Sequence, residues 1–166
     1  MPSTMGREAS LMSPEARLRQ LGFTLPDLPP APVGNFANAV KIGSLLYVSG
    51  QGPVTADGRL MTGKVGNDVG VADAYTHARL AGLNLLAVAR QQLGSLSAIR
   101  RVVKLFGMVN AVADFAEHPK VINGCSDLFT EVFGPEGVHA RSAVGMGSLP
   151  NNITVEIEAI FEIGDD

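Results

Sequence analysis

The side chains best suited to chemistry lie near the C-terminal end of the chain. Arg141 is the only Lys or Arg between residues 138 and 148, where its neighbours are mostly small or apolar. A guanidinium can hold a carboxylate through two parallel hydrogen bonds, so Arg141 is a candidate anchor for an acidic ligand. Glu156 is a candidate for positioning or activating water. Both have structural alternatives, because Arg141 could pair with Glu158 across a subunit interface and Glu156 could be a solvated strand residue.

These residues fall in a predicted β-hairpin. Residues 153–163 alternate between apolar and mostly polar side chains, which indicates a strand with one buried face. Residues 149–152 carry the proline and asparagines typical of a turn, and residues 138–148 are predicted as the partner strand. The turn therefore joins two antiparallel neighbours.

The hairpin gives a register. If the four turn residues close it, Ser148 faces Ile153, and Arg141, Glu156 and Glu158 share one face. Gly145 and Gly147 lack side chains and leave space on that face, where another group can approach closely.

Periodicity and turn signals predict the other elements. Short strands flank Gly43-Ser44, and a strand that is apolar on both faces covers residues 99–109. Helices are expected over residues 69–93, from Pro119 to Gly134-Pro135, and briefly after Ser13-Pro14, with Asp68 and Gly94 closing the ends of the longest.

This order of elements predicts an α+β domain with a mixed sheet and two helices on one face. The helices can cover only one side of the 99–109 strand. A soluble monomer rarely leaves the other side open, so we expect a homo-oligomer.

Composition and charge exclude several classes of partner and indicate a compartment. The 166 residues fit one domain, and 46% hydrophobic residues can supply a sizeable core. A net charge of −3 argues against nucleic-acid and anionic-membrane partners. No apolar run reaches membrane-spanning length and no secretory leader is evident, while one cysteine suits a reducing compartment, so we expect a cytoplasmic protein.

Metal and cofactor motifs are missing from the sequence. The three histidines lack zinc-site spacing, and Cys125 lies on an apolar helical stripe that predicts a core residue. His139 shares the predicted face of Arg141 and is a further candidate for a binding cleft. Gly145-Met146-Gly147 lacks the rest of a dinucleotide fingerprint, so we expect no metal and no cofactor.

Several motifs together resemble the Rid family, the YjgF-like reactive intermediate deaminases also known as L-PSP endoribonucleases. They are Ala140-Arg141-Ser142, Leu149-Pro150 and residues 155–160, together with residues 33–36, 46–51, 114–115 and 121–123. The resemblance covers residues 32–163. Residues 1–31 are then an N-terminal extension with a short helix and a proline-rich connector.

The resemblance implies a chorismate-mutase-like fold and a homotrimer with a central barrel and clefts between subunits. It implies that Arg141 binds a substrate carboxylate, that the Ala143 backbone assists, and that Glu156 handles water. Gly50 and Asn123 match positions near the family cleft, with a turn role and a helix-surface role as their alternatives. Phe36 stands where the family often has tyrosine, and Ala143 where it usually has cysteine.

Three functions follow from these observations. The first is metal-free hydrolysis of reactive enamines and imines to 2-oxo acids and ammonia, as the resemblance implies. The second is a small-carboxylate binding or regulatory protein on the same scaffold, which the Phe36 and Ala143 departures favour. The third is an endoribonuclease, which the acidic balance disfavours.

Overall fold

The computed structural model describes residues 12–164. Its helices and strands are α1 (Pro14–Gln20), β1 (Ala39–Ile42), β2 (Leu45–Gln51), α2 (Val71–Leu93), β3 (Ile99–Asn110), α3 (His118–Phe133), β4 (Ala140–Met146) and β5 (Val155–Ile163). None of the helices in this part of the chain is long and apolar enough to cross a membrane.

The strands form one mixed sheet in the order β1-β2-β5-β3-β4. Neighbouring strands are antiparallel except β3 and β4, which are parallel. The apolar β3 lies near the middle, where both of its edges are paired and its alternate side chains enter the core. The predicted α+β class with a mixed sheet is therefore confirmed.

Helices α2 and α3 cover one face of this sheet. They pack against each other closely because glycine stands at their contact. A Cβ atom on Gly124 would lie 1.9 Å from the carbonyl oxygen of Tyr75, so no larger residue fits there. The core between helices and sheet is almost fully buried and includes Leu85, Leu105, Ile122, Phe129, Ile157 and Phe161.

The helix ends follow the sequence signals with one exception. The Ser13 hydroxyl accepts a hydrogen bond from the Ala16 amide at 3.1 Å, and Gly94 ends α2 in the left-handed conformation at φ 82°. Asp68 does not cap α2, which begins after Gly70. Its carboxylate instead accepts the Lys64 amide hydrogen at 2.6 Å, so it stabilises the preceding loop.

The predicted hairpin of β4 and β5 is wrong. Both strands pair with β3, which lies between them, and the Leu105 position is opposite Arg141 on one side and Ala159 on the other. The chain leaves the turn through Asn152, whose carbonyl accepts from the Gly63 amide at 2.9 Å. The backbone after the turn is thus hydrogen-bonded to the loop around residue 63, and β4 remains at the sheet edge.

No helix or loop of residues 12–164 fully covers the sheet face opposite the helices. Four large apolar residues on this face are at least one third exposed, namely Val40, Ile42, Tyr47 and Val144. Met108 and Phe106 lie beside them. We call this surface the open face.

The segment before β1 packs against the domain. Leu18 of α1 is 2% exposed and belongs to the hydrophobic core. The Glu15 carboxylate accepts hydrogen bonds from the Leu96 amide at 2.6 Å and the Ser95 hydroxyl at 3.0 Å. The connector is held in turn by Arg90, which donates to the Pro26 carbonyl.

Candidate functional site

Arg141 lies on the edge strand β4 and points towards α3. Across the sheet, Arg141 is paired with Leu105, and Leu105 is paired with Ala159. Because Leu105 and Ala159 are buried under the helices, the Arg141 side chain also lies on the helix-covered face. Its Nη1 donates to Asn123 Oδ1 at 2.7 Å and to Ser126 Oγ at 3.1 Å. These two acceptors are one turn apart on α3, so the helix holds one end of the guanidinium.

The other edge of this guanidinium has no close acceptor among residues 12–164. Nη2 reaches the Pro119 carbonyl only at 3.5 Å, the outer limit of a hydrogen bond. Within residues 12–164, the Nε–H and the second Nη2–H have no acceptor, and no carboxylate lies within 4.0 Å of the group. Of the five N–H donors of arginine, the pair that forms a bidentate fork is thus available to a carboxylate.

Ala143 lies two residues after Arg141 on the same face and packs partly against the core. Asn123, a predicted member of the site, is a direct acceptor for the guanidinium. The structure therefore places Asn123 against the Arg141 guanidinium and Ala143 on the same face of β4 as Arg141.

Gly145 lies on the same face of β4 as Arg141 and Ala143, and a side chain occupies the space next to it. The His118 imidazole packs over it, with Nε2 placed 2.6 Å from where a Cβ atom would stand. A neighbouring cavity of about 570 Å³ is lined by Lys64, Phe115, His118 and the 145–147 backbone. Of the two glycines predicted to leave space, Gly147 does so, because a Cβ atom there would have no other atom within 4 Å.

Glu156 lies on the open face. Across the sheet, Glu156 is paired with Met108, and Met108 is paired with Val144 of the open face. The Glu156 side chain packs against Gly50. A Cβ atom on Gly50 would lie 2.8 Å from Glu156 Oε1, so the glycine leaves the space that this carboxylate fills. Partial burial raises the pKa of Glu156, and the nearby Glu158 carboxylate raises it further. A raised pKa makes the group a better proton acceptor at neutral pH.

The prediction that Arg141 shares a face with Glu156 and Glu158 is wrong. It depended on pairing β4 directly with β5, whereas the structure places β3 between them and shifts the register. Arg141 faces the helices and both glutamates face away from them. The sheet of one chain therefore separates the candidate carboxylate anchor from the candidate water-activating group.

Phe36 lies in the loop before β1 and is 51% exposed. Its amide donates to the Gly34 carbonyl at 3.1 Å in a tight turn. It belongs to neither of the two groups formed by Arg141 with Asn123 and by Glu156 with Gly50.

Sequence reasoning missed Ser126. It follows Asn123 by three positions on α3, and that spacing places both on one side of the helix. This spacing is visible in the sequence, but it identifies Ser126 as a partner of Arg141 only once α3 is known to pack next to Arg141. His139, which was a candidate, meets Arg141 through Ser126, because its Nε2 lies 2.9 Å from Ser126 Oγ.

Two other titratable side chains, Cys125 and His77, are held in the interior of the domain. Cys125 is fully buried, and burial raises the pKa of its thiol, which confirms the predicted core residue. His77 contacts Thr154 Oγ1 at 2.9 Å, and burial lowers its pKa. Among residues 12–164, no three His, Cys, Asp or Glu side chains converge to hold a metal ion.

Known proteins with a similar sequence cover nearly the whole chain. Protein TCP17 of Trypanosoma cruzi is 40% identical over 151 residues, which are 90% of this chain and 94% of that protein. A protein of Dermatophagoides farinae named 2-iminobutanoate/2-iminopropanoate deaminase is 29% identical over 137 residues, covering 82% and 91% of the two chains.

A solved structure and a family model also match nearly the whole chain. A crystal structure of a protein of unknown function from Agrobacterium tumefaciens is 47% identical with a TM-score of 0.84, covering 98% of this chain and all of the other. Residues 15–162 match the family model described as "YjgF/chorismate mutase-like, putative endoribonuclease". The chain therefore belongs to the YjgF/Rid family and has its chorismate-mutase-like fold.

Proposed function

We propose that this protein hydrolyses small α-imino acids, and the enamines in equilibrium with them, to 2-oxo acids and ammonia. The observation that carries the proposal is the fork of Arg141, which is oriented by α3 and has no carboxylate partner among residues 12–164. The name of the Dermatophagoides farinae relative, a 2-iminobutanoate/2-iminopropanoate deaminase, supports this substrate class.

The reaction needs a held substrate and a polarised water. The two free N–H groups of Arg141 bind the substrate carboxylate, which fixes the position of the adjacent imine carbon. Glu156 takes a proton from water as the water oxygen bonds to the carbon of the protonated imine, and the C=N π pair moves to nitrogen, which gives a neutral carbinolamine with hydroxyl and amine on one carbon. Glu156 then returns its proton to that nitrogen. The C–N bond breaks with its electron pair leaving on ammonia, while the hydroxyl oxygen forms the new C=O bond and releases its proton to solvent, so that the 2-oxo acid remains.

We propose further that each site is shared by two copies of the chain in a homotrimer. Arg141 and Glu156 of one chain lie on opposite faces of its sheet, so one copy must supply the arginine and its neighbour the glutamate. Two different surfaces then meet at each contact, and repeated contacts of that kind close into a ring. The apolar open face supports burial of this surface between copies.

Arg141→Ala tests the anchor. Loss of two charge-assisted hydrogen bonds, each worth roughly 1.5–3 kcal/mol, is expected to lower kcat/KM for 2-iminopropanoate by at least about 10²-fold. Arg19→Ala is the matched control, because Arg19 is exposed on α1 and has no contact with Arg141 or its acceptors. Equal turnover by wild type and Arg141→Ala, with both assemblies intact, would refute the proposed function.

Subunit complementation tests the shared site. Arg141→Ala and Glu156→Ala chains are each expected to be inactive, but a mixed ring contains one site with an intact arginine and an intact glutamate. Random mixing of equal amounts of the two chains is expected to restore about a quarter of the wild-type sites. A co-expressed mixture of proven mixed composition that stays inactive would contradict the shared site.

A small-carboxylate binding protein without significant catalysis is the second candidate. Phe36 and Ala143, which stand where the family often has tyrosine and cysteine, favour it, because the usual hydroxyl and thiol are missing. Calorimetry with 2-oxobutanoate beside the turnover assay separates the two. Binding that Arg141→Ala abolishes, in a wild type without turnover, selects this candidate.

A further inference from the structure

We propose that Ser126 and His139 are positioning residues that hold the Arg141 guanidinium with its carboxylate-binding fork facing outward. This inference rests on the proposed function, since it concerns how the anchor is oriented. It is carried by a chain of hydrogen bonds that begins at a backbone carbonyl and ends at Arg141.

The direction of each bond follows from the first. His139 Nδ1 lies 2.6 Å from the Gly137 carbonyl oxygen, which can only accept, so Nδ1 carries the hydrogen. A neutral imidazole then has a bare Nε2, and the Ser126 hydroxyl, 2.9 Å away, donates to it. The Ser126 oxygen is left with its lone pairs, which accept from Arg141 Nη1 at 3.1 Å.

Packing keeps the imidazole in place. Its ring lies edge-on to Phe129, with the centroids 6.4 Å apart and the planes at 76°. Burial lowers the pKa of His139, and the positive charge of Arg141 lowers it further, whereas the Gly137 hydrogen bond raises it. The α3 residues against the ring, Ser126 and Phe129, carry no charge, so the charged group that faces it is Arg141 on β4.

The chain matters because Asn123 alone cannot fix the guanidinium. With Asn123 and Ser126 both accepting from Nη1, the two hydrogens on that nitrogen are used and rotation of the planar group is prevented. If Ser126 no longer accepts, the Asn123 bond and the long 3.5 Å contact of Nη2 with the Pro119 carbonyl remain, and the guanidinium can turn more freely. The fork then meets the substrate carboxylate with one hydrogen instead of two, so affinity falls more than the rate of the bound complex.

Protonation of His139 reverses the relay. Nε2 would then carry a hydrogen and donate to Ser126, whose own hydroxyl hydrogen would lose its acceptor. A second positive charge would also face Arg141. The orientation of the fork, and hence KM, should depend on pH through the imidazole, although neither Ser126 nor His139 touches the substrate.

The test measures KM and kcat for 2-iminopropanoate and the calorimetric Kd for 2-oxobutanoate in the assembled protein. Ser126→Ala and His139→Leu remove the relay, and each is expected to raise KM and Kd about tenfold while kcat changes less than threefold. Ser126→Thr keeps the hydroxyl and should retain wild-type values. Wild type is expected to show a rise in Kd at acidic pH. His139→Gln keeps an acceptor that does not titrate, so it should bind normally and lack that rise.

The outcomes separate the relay from the proposed function. If Arg141→Ala loses binding of 2-oxobutanoate while Ser126→Ala and folded His139→Leu bind as wild type, the relay is refuted and the anchor stands. If Arg141→Ala binds normally, both are refuted. An equal loss in His139→Leu and His139→Gln, with no difference in their pH profiles, would also overturn the relay, because it would indicate a packing role.

Discussion

Gly50→Ala should damage catalysis with little effect on the fold. The new methyl group would lie 2.8 Å from Glu156 Oε1 and 2.9 Å from its Cδ and Cγ. Relief to an ordinary contact of 3.4 Å requires the side chain to move by about 0.6 Å or more. The neighbouring atoms belong to a flexible side chain, so the fold can absorb the change at roughly 0.5–1.5 kcal/mol, the cost of a strained rotamer.

The effect on rate is larger because the carboxylate must meet a water beside the imine carbon. A misplacement of about 1 Å can cost roughly 10²-fold, so we expect kcat to fall about tenfold to a hundredfold. Gly147→Ala is the matched control, because a Cβ atom there meets nothing within 4 Å.

Turnover of 2-iminopropanoate, calorimetry with 2-oxobutanoate and urea unfolding measure the three quantities separately. We expect kcat to fall while Kd for the 2-oxo acid stays near the wild-type value. Wild-type kcat in folded Gly50→Ala would refute a catalytic role for the placement of Glu156. A large loss of stability would refute the reasoning that the carboxylate can move aside.

Three further predictions follow from burial and contact. Burial raises the folded-state pKa of Glu156 above the ordinary 4.5, so the carboxylate begins to oppose folding above pH 4.5 and does so fully once pH exceeds the folded-state pKa. Glu156→Gln should therefore raise the Tm at pH 7 while abolishing turnover, and the gain should vanish below pH 4.5, the ordinary pKa; an equal gain at both pH values would contradict this. Gly107→Ala places a Cβ atom 2.6 Å from buried Ile122 and should cost about 1–3 kcal/mol in urea unfolding, with Ile122→Ala recovering part of that loss in the double variant. Tyr47→Asp puts a charge on the open face and should convert the proposed trimer to smaller species in light scattering, and an unchanged mass would argue against burial of that face.

The sequence predicts most of the elements because their signals are local. Alternation along β5, the apolar stripe of α3 and the left-handed glycine after α2 each depend on a few neighbouring residues. The apolar character of β3 on both faces likewise predicted a strand, whereas its place between β5 and β4 was not predicted.

The pairing of β4 with β3 is not a local property. A turn with proline and two asparagines is typical of a hairpin, and nothing in residues 138–163 shows that Asn152 will bond to Gly63. That long-range contact accompanies the pairing of both β4 and β5 with β3, and this pairing places Arg141 on the helix-covered face. Arg141 and Glu156 could be selected from their residue types and from the family resemblance. That they lie on opposite faces of the sheet could be seen only from the strand order.

The Glu15 and Arg17 contacts have a consequence for synthesis of the chain. Glu15 bonds to the Leu96 amide and Arg17 Nε donates to the Glu131 carbonyl, across 81 and 114 positions. The ribosome makes α1 before either partner exists, so this helix must wait while most of the remaining chain emerges. The part of the described chain that is translated first can therefore complete its native contacts only after residue 131 has been synthesised.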